Sequence, residues 1–366
     1  MRPFRVALLA VAALAGTASA ARVVVRPGGS IQAAIDAAPP GSTIDVEPGT
    51  YHESGAVRAL TITKDGIRIF GRRRHGRGPV IERAGTQSQG IWVSPADSLA
   101  PADVELPPCG TAATRLRHFT LSGVTVQGFA GFGVYLACVD RFSVRHTTAR
   151  QNDTYAIFPV RSSHGRMTRN VASGTQTDAC LYVGQDERIM VDHNRATDCE
   201  IGLQIENSRN VRMSDNEASG NTTGIIVDVL NGRQVTVEAD NQVVHNKVHD
   251  NNRPNSAGPD HETHDLVPGI GIIIDGADRT QLADNTISGH QAAGMTLVDF
   301  CTGRTACSDP GLDIDPRPDG NKIVHNQFAG NRTDVIYLPD GGQGNCFARN
   351  RPATLSVFGD PLPACP

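Results

Sequence analysis

Three carboxylates recur at one phase of a repeated motif. Glu206, Asp228 and Asp275 each stand four residues after a Gly that opens an apolar stretch, in Gly202-Leu-Gln-Ile, Gly224-Ile-Ile-Val and Gly271-Ile-Ile-Ile. Side chains alternate in direction along a strand, so Leu203 and Ile205, Ile225 and Val227, and Ile272 and Ile274 face a core while the acids face out. Stacked at the strand spacing of about 4.8 Å, neighbouring carboxylates repel by roughly 3 kcal/mol at an effective dielectric near 20. Such a column calls for a cation, an Arg or a shared proton. Calcium held by Glu206, Asp228 and Asp275 is one answer; a raised pKa suited to general-acid work is another. Glu206 and Asp228 are the candidate catalytic pair. The plain alternative is that Asp and Glu end these strands because they favour turns. All three acids stack only if the 47 residues between Gly224 and Gly271 hold a single coil with insertions. With an extra coil in that interval, only Glu206 and Asp228 remain neighbours.

Further polar and aromatic residues share the pattern. Asp178 and Glu200 precede the small residue by two and extend the acidic patch. Position two carries Tyr135, Phe158, Tyr182 and Gln204, an outward column that makes either a platform for sugar rings or a ladder stiffening the sheet. Together these residues outline a groove for an extended chain. Arg141, His164, Arg188, Arg209 and Arg279 recur in the following turn and read as solvated turn charges. His261-Glu-Thr-His-Asp265 holds two His and two carboxylates but no third ligand of a zinc motif, and reads as a polar loop. Asp309, Asp313, Asp315 and Asp319 lack the Gly and final Glu of an EF-hand loop. The GxSxG elbow and the phosphate-cradling Gly loop are absent from the sequence.

The elements that must position these residues come from an internal repeat. Small-residue strands start at Gly133, Ala156, Cys180, Gly202, Gly224, Gly271 and Gly294, mostly 22 to 24 residues apart. Between them fall segments ending in Asn170, Asn194, Asn216, Asn246, Asn285 and Asn326. The same phase returning at a fixed period predicts a solenoid of about ten coils, each alternating a Gly-type with an Asn-type strand. The Asn residues should stack in one turn column. Residues 30–38 predict a helix covering the open N-terminal end, with Ser30 as its cap and Pro39 and Pro40 as its stop. The tail 352–366 is placed to cover the other end. Insertions 95–117, 229–241 and 300–321 follow the Gly-type strand and share an edge of the rod; 250–268 follows an Asn turn and emerges elsewhere. They are either the walls of a site or simple length drift.

Residues 1–20 read as a secretory signal: Arg2 and Arg5, a short apolar run, then Ala18-Ser-Ala20. The mature chain is then 21–366, secreted or periplasmic, with no later segment long enough to span a membrane. The full chain has 366 residues and a formal net charge of −4, which falls to −6 without the signal, so a nucleic-acid partner is excluded. Eight Cys without a CxxC pair suit an oxidising compartment better than a zinc site. Pairing sequence neighbours gives Cys109–Cys138, Cys180–Cys199, Cys301–Cys307 and Cys346–Cys365.

Gly29-Ser-Ile-Gln-Ala-Ala-Ile-Asp-Ala-Ala followed by Pro48-Gly-Thr-Tyr-His-Glu53 resembles the opening of right-handed parallel β-helix proteins of the pectate-lyase-like superfamily. The coils at Asp178-Ala-Cys-Leu-Tyr-Val-Gly-Gln185 and Ile205-Glu-Asn-Ser208 are similar to those of exported bacterial β-helix repeat proteins, whose functions are largely unassigned. The resemblance implies an all-β, single-stranded right-handed parallel β-helix. That superfamily includes polysaccharide lyases, hydrolases, uronate epimerases, esterases and non-catalytic members. The implied function is binding or acting on an extended, acidic polysaccharide by β-elimination or epimerisation at a uronate, with calcium neutralising the sugar carboxylate. An Arg base, as the resemblance would imply, is not placed beside the acids by sequence. The Asp-Pro-His-Asp run of mannuronan epimerases is missing. The alternative is a non-catalytic envelope or surface scaffold presenting loops to a protein or glycan partner.

Overall fold

The computed structural model describes residues 19–95, 109, 115–302, 311–340, 342–352 and 361–366. The chain winds as a right-handed parallel β-helix. Among the described residues, successive coils visit three parallel sheets of 12, 10 and 10 strands. Within a coil, a six-residue strand such as Ile201–Glu206 lies in the third sheet. A turn leads to a short strand of the first sheet, Arg212–Ser214, and the Asn turn leads on to a strand of the second sheet, Glu217–Ser219. The sequence pattern showed two strands per coil; the structure has three. The additional strand buries only one side chain, Ala218 in this coil, which is too little to print a periodicity.

Inward side chains form one continuous core. Val134, Ile157, Leu181, Leu203, Ile225, Ile272 and Met295 stack along the axis, all with no exposed surface. Each contributes about 1.5–3 kcal/mol by leaving water. The interval between Gly224 and Gly271 is a single coil, since Thr223–Asp228 pairs directly with Ile270–Asp275. Asn170, Asn194, Asn216, Asn246, Asn285, Asn326 and Asn350 form the expected column. In each step the side-chain amide and the backbone N–H donate to the next Asn Oδ1 at 2.8–3.1 Å. The residue before each of these Asn has positive φ, for example 57° at His193 and 58° at Asp215. Asn, Asp and His tolerate that region best, which accounts for much of the turn composition.

The N-terminal helix is Ile31–Ala37, with Ser30 Oγ accepting from Ala33 N. Buried Glu53, from the motif that carried the resemblance, accepts from Ile31 N at 2.6 Å and from Ser30 Oγ at 2.7 Å. Disulfides join Cys109 to Cys138, Cys180 to Cys199 and Cys346 to Cys365 as expected. The last of these holds the tail against Phe347, whose N–H donates to Pro363 O. Cys307 of the expected Cys301–Cys307 pair, residues 1–18 of the signal segment and most of the 95–117 insertion lie outside the described residues. Among the described residues no helix is long and apolar enough to cross a membrane.

Candidate functional site

The third sheet carries the site because its coils run in strict register. Gly184, Glu206, Asp228, Asp275 and Val298 follow one another as paired residues, and so do Tyr182, Gln204, Ile226, Ile273 and Thr296. These two outward columns floor a cleft of about 490 Å³. Glu206, Asp228 and Asp275 all border it, as do Asp178 and Gln204. The column is not open to solvent: the three acids are 3–7% exposed.

Three insertions wall the cleft. Residues 229–241 and the described parts of the 300–321 insertion leave from one edge of the third sheet and pack on each other through Val229, Phe300 and Ile314. Residues 250–268 enter from the opposite edge yet fold over the same face, where Glu262, Thr263 and Leu266 line the cleft. Glu200 fastens this insertion. It has no exposed surface and accepts from Arg253 Nη1 at 3.2 Å and from Ser256 N and Oγ at 3.1 Å. Its expected place on a sugar-binding surface is corrected to a buried anchor.

The repulsion expected along the acidic column is relieved residue by residue. Arg233, on the 229–241 insertion, places Nε 3.0 Å from Glu206 and Nη2 2.7 Å from Glu262. Burial raises the Glu206 pKa, opposed by Arg233 and by a hydrogen bond from Tyr182. Burial acts against the Arg233 charge, but Glu206 and Glu262 outweigh it and hold the guanidinium firmly protonated. Asp228 receives the Gln204 amide, with Nε2 at 3.0 and 3.2 Å from its two oxygens. Among the described residues, no group of three or more His, Cys, Asp or Glu is arranged to hold a metal ion. A guanidinium meets Glu206 and an amide meets Asp228 in this column.

Asp178 opens partly into the cleft and accepts from Tyr155 Oη at 2.7 Å and from Ala179 N at 2.8 Å. Burial pushes its pKa up to about 8; the Tyr155 hydrogen bond opposes this and the nearby Glu206 charge adds to it. It therefore carries a proton at neutral pH. The aromatic column is a ladder: Tyr135 and Tyr182 are each 4% exposed, and Phe158 packs edge-on to both at 5.1 and 4.5 Å between ring centres. Of the two readings of Tyr135, Phe158 and Tyr182, the structure has the ladder, and Leu266 of the 250–268 insertion packs in the group that holds Tyr182.

Arg141, Arg188 and Arg279 make surface pairs with Asp140, Glu187 and Asp240, away from the acids. Arg233 was missed because it sits in an insertion with no repeat phase; only its closeness in sequence to Asp228 pointed to it. Glu262 lay inside the noted His261–Asp265 run without a stated role.

A family described as periplasmic copper-binding protein (NosD) has a sequence profile that matches residues 133–361. The fold is similar to the A-module of mannuronan C-5 epimerase AlgE4 of Azotobacter vinelandii, at 17% identity and a TM-score of 0.62, over 87% of this chain and 89% of that one. The AlgE6 A-module from the same organism gives 17% and 0.64 over 87% and 88%. A DFA-IIIase of Arthrobacter chlorophenolicus A6, without its lid, gives 13% and 0.54 over 89% and 88%. No curated protein matches the sequence.

Proposed function

The chain belongs to the family of periplasmic copper-binding protein (NosD), and from that premise we propose an exported β-helix protein that binds a glycan chain in the third-sheet cleft and applies acid–base chemistry to it. The observation that carries this reading is the cleft itself: three insertions converge on carboxyl groups, one of which holds its proton at neutral pH. Glycoside chemistry needs such a pair, a carboxylic acid to protonate the leaving oxygen and a carboxylate to activate water or attack the sugar. Asp178 suits the first role, and Glu206 and Asp228 suit the second. The β-helix neighbours, at 13–17% identity, lend the fold alone.

Two finer expectations lose support. Chemistry at a uronate needs the sugar carboxylate neutralised. Among the described residues no cluster of ligands for a cation is gathered, and Arg233 is engaged by Glu206 and Glu262. Among the described residues no group of three or more His, Cys, Asp or Glu is gathered for copper, which the family description carries, and Met190 stands exposed apart from the core methionines. The described cysteines are all disulfide-bonded, and Met167, Met213 and Met295 lie inside the core. His146, His193, His245 and His325 stack on alternate coils of one turn column, about 10 Å apart, which is too far to share an ion. Export through the 1–20 signal to the periplasm or medium is part of the same proposal. It is supported by the family description and by the disulfides.

The test is a panel of neutral, acidic and amine-bearing oligosaccharides, scored for binding, new reducing ends and the absorbance of unsaturated uronate. New reducing ends are expected, with Glu206→Gln and Asp228→Asn each slowing their release about a hundredfold while the unfolding transition stays cooperative. If the folded, disulfide-intact protein ignores the whole panel, the proposal fails and the scaffold alternative replaces it.

A further inference from the structure

The turn between the first and second sheets lies across the coil from the third-sheet cleft, and near its N-terminal end it gathers basic side chains. Gly123, His146 and Arg169 occupy this turn on successive coils, each with positive φ (75°, 49° and 53°). Coils stack at about 4.8 Å, so His146 and Arg169 stand side by side while Gly123 adds no side chain beside them. One coil earlier the turn is longer. Residues 72–78 leave strand Arg68–Gly71 as a hairpin in which Arg74 and Arg77 exchange backbone N–H···O bonds at 2.9 and 3.0 Å. Its Arg72, Arg73, Arg74, His75 and Arg77 are all exposed. Arg72 meets Asp45 at 2.9 Å, whereas among the described residues Arg73, Arg74, Arg77 and Arg169 enter no ion pair. A second, independent feature is a depression of about 300 Å³ between the hairpin and the following turns. Arg73, His146, Arg169 and the Thr148 hydroxyl line it, and no carboxylate does. Asp192, one coil beyond Arg169, is buried and already accepts from Arg166 and His193. Acids enter the same turn column only further along, at Asp215 and Asp284.

We propose that this depression is a binding site for a phosphate monoester, independent of the third-sheet cleft. Its donors come from different sides: the hairpin, two stacked turns and the second sheet. A tetrahedral phosphoryl group turns three oxygens toward such a surround, and each guanidinium fork meets two of them in plane. A carboxylate offers two oxygens in one plane and is satisfied by a single fork. The monoester also carries about −1.5 to −2 charge at pH 7, against −1 for a carboxylate. Arg74 and Arg77 on the exposed hairpin add a positive potential that draws the anion toward the depression. The volume takes a phosphoryl group and the sugar or glycerol unit that carries it. A free sugar phosphate and a lipid headgroup present that same group.

Binding is measured at pH 7 by calorimetry with glucose 6-phosphate, inorganic phosphate and glucuronate. Sedimentation with phosphatidylcholine vesicles, with and without phosphatidic acid, tests the lipid source. Glucose 6-phosphate is expected to bind about tenfold tighter than glucuronate. Raising salt from about 50 to about 500 mM should weaken it roughly fivefold, through screening. Arg73→Gln and Arg169→Gln should each weaken it about tenfold. Arg74→Gln combined with Arg77→Gln, which removes rim charge alone, should weaken it about threefold. These four side chains are exposed, so unfolding should stay cooperative and unshifted in every variant. Arg349→Gln, at the far end of the same turn column, should leave binding unchanged. Vesicle binding that needs phosphatidic acid and is lost in the Arg73→Gln, Arg169→Gln double variant supports the site and assigns the phosphate to a lipid. Binding of glucose 6-phosphate without vesicle binding supports it and assigns a soluble ester. Equal binding of glucuronate overturns the proposal. So does phosphate binding that survives the double variant, or the absence of binding to every phosphate probe.

Discussion

Asp178 gives the sharpest test of the electrostatics. Its carboxyl lies under the 250–268 insertion, accepts from Tyr155 Oη and Ala179 N, and has its pKa pushed up to about 8, mainly by burial. An unfolded Asp titrates near 3.9, so between roughly pH 4 and pH 8 the folded protein holds one more proton here than the unfolded chain. Stability contributed by this group is therefore complete below about pH 4 and is lost as pH rises through 8. One unit is worth about 1.4 kcal/mol, so the four-unit span sets a ceiling of roughly 5 kcal/mol. Because the carboxyl opens partly into the cleft, solvent screening reduces this, and we expect about 2–3 kcal/mol. Asp178→Asn removes the titration and preserves the shape. Guanidinium unfolding of wild type and variant at one-unit steps from pH 5 to pH 9 isolates the group, since other buried acids titrate equally in both. The variant should be equal to or slightly less stable than wild type at pH 5. It should be about 2–3 kcal/mol more stable by pH 9. Parallel stability curves across the range would refute a protonated Asp178 in the native cleft.

Other perturbations test the frame and the walls. Asn216→Ala removes the acceptor of two Asn194 donors and the donor to Val191 O and Asn246 Oδ1; it should cost about 4 kcal/mol in chemical denaturation, at 1–3 kcal/mol per stranded buried group. Opening Cys180–Cys199 by the double Ala variant frees a loop closed by residues 19 apart and should cost about 3 kcal/mol, read as a lowered denaturation midpoint under non-reducing conditions. Glu206→Gln leaves Arg233 with Glu262 alone and should cost about 1–3 kcal/mol, with faster proteolysis within 229–241 as the local readout.

The repeat was legible because a solenoid forces chemistry onto fixed positions. A coil of 22 to 24 residues returns every inward Leu, Ile or Val to one phase, and each tight turn needs an Asn whose amide reaches the next coil. The stacking of Glu206, Asp228 and Asp275 followed from that arithmetic and is met by the pairing of their strands. The environment of those acids could not be read in the same way. Arg233 and Glu262 sit in insertions, where no period relates sequence position to direction, so the partner of Glu206 was invisible. For the same reason an outward strand position was mistaken for an exposed one. Tyr135 and Tyr182 do point away from the helix axis, yet each is only 4% exposed. The second-sheet strands escaped notice because three residues with one buried Ala carry no alternation.

How the acidic column is neutralised bears directly on what the cleft can do. A floor held together by a metal ion would have its charge cancelled before any ligand arrived. Among the described contacts, Arg233 and Tyr182 stabilise Glu206, the Gln204 of the preceding coil donates to Asp228, and Asp178 keeps its proton. These contacts fix the side chains on the cleft floor. They also leave one acceptor, Gln204 Oε1, without a donor. A rigid sheet with an unmet hydrogen bond is preorganised for a ligand that brings a donor, and little ordering cost remains at the moment of binding. The insertions add what the sheet lacks, walls that exclude water and strengthen each of these interactions. A donor brought to Gln204 Oε1 therefore meets an acceptor already held in place, in the same cleft where the raised Asp178 carboxyl keeps its proton.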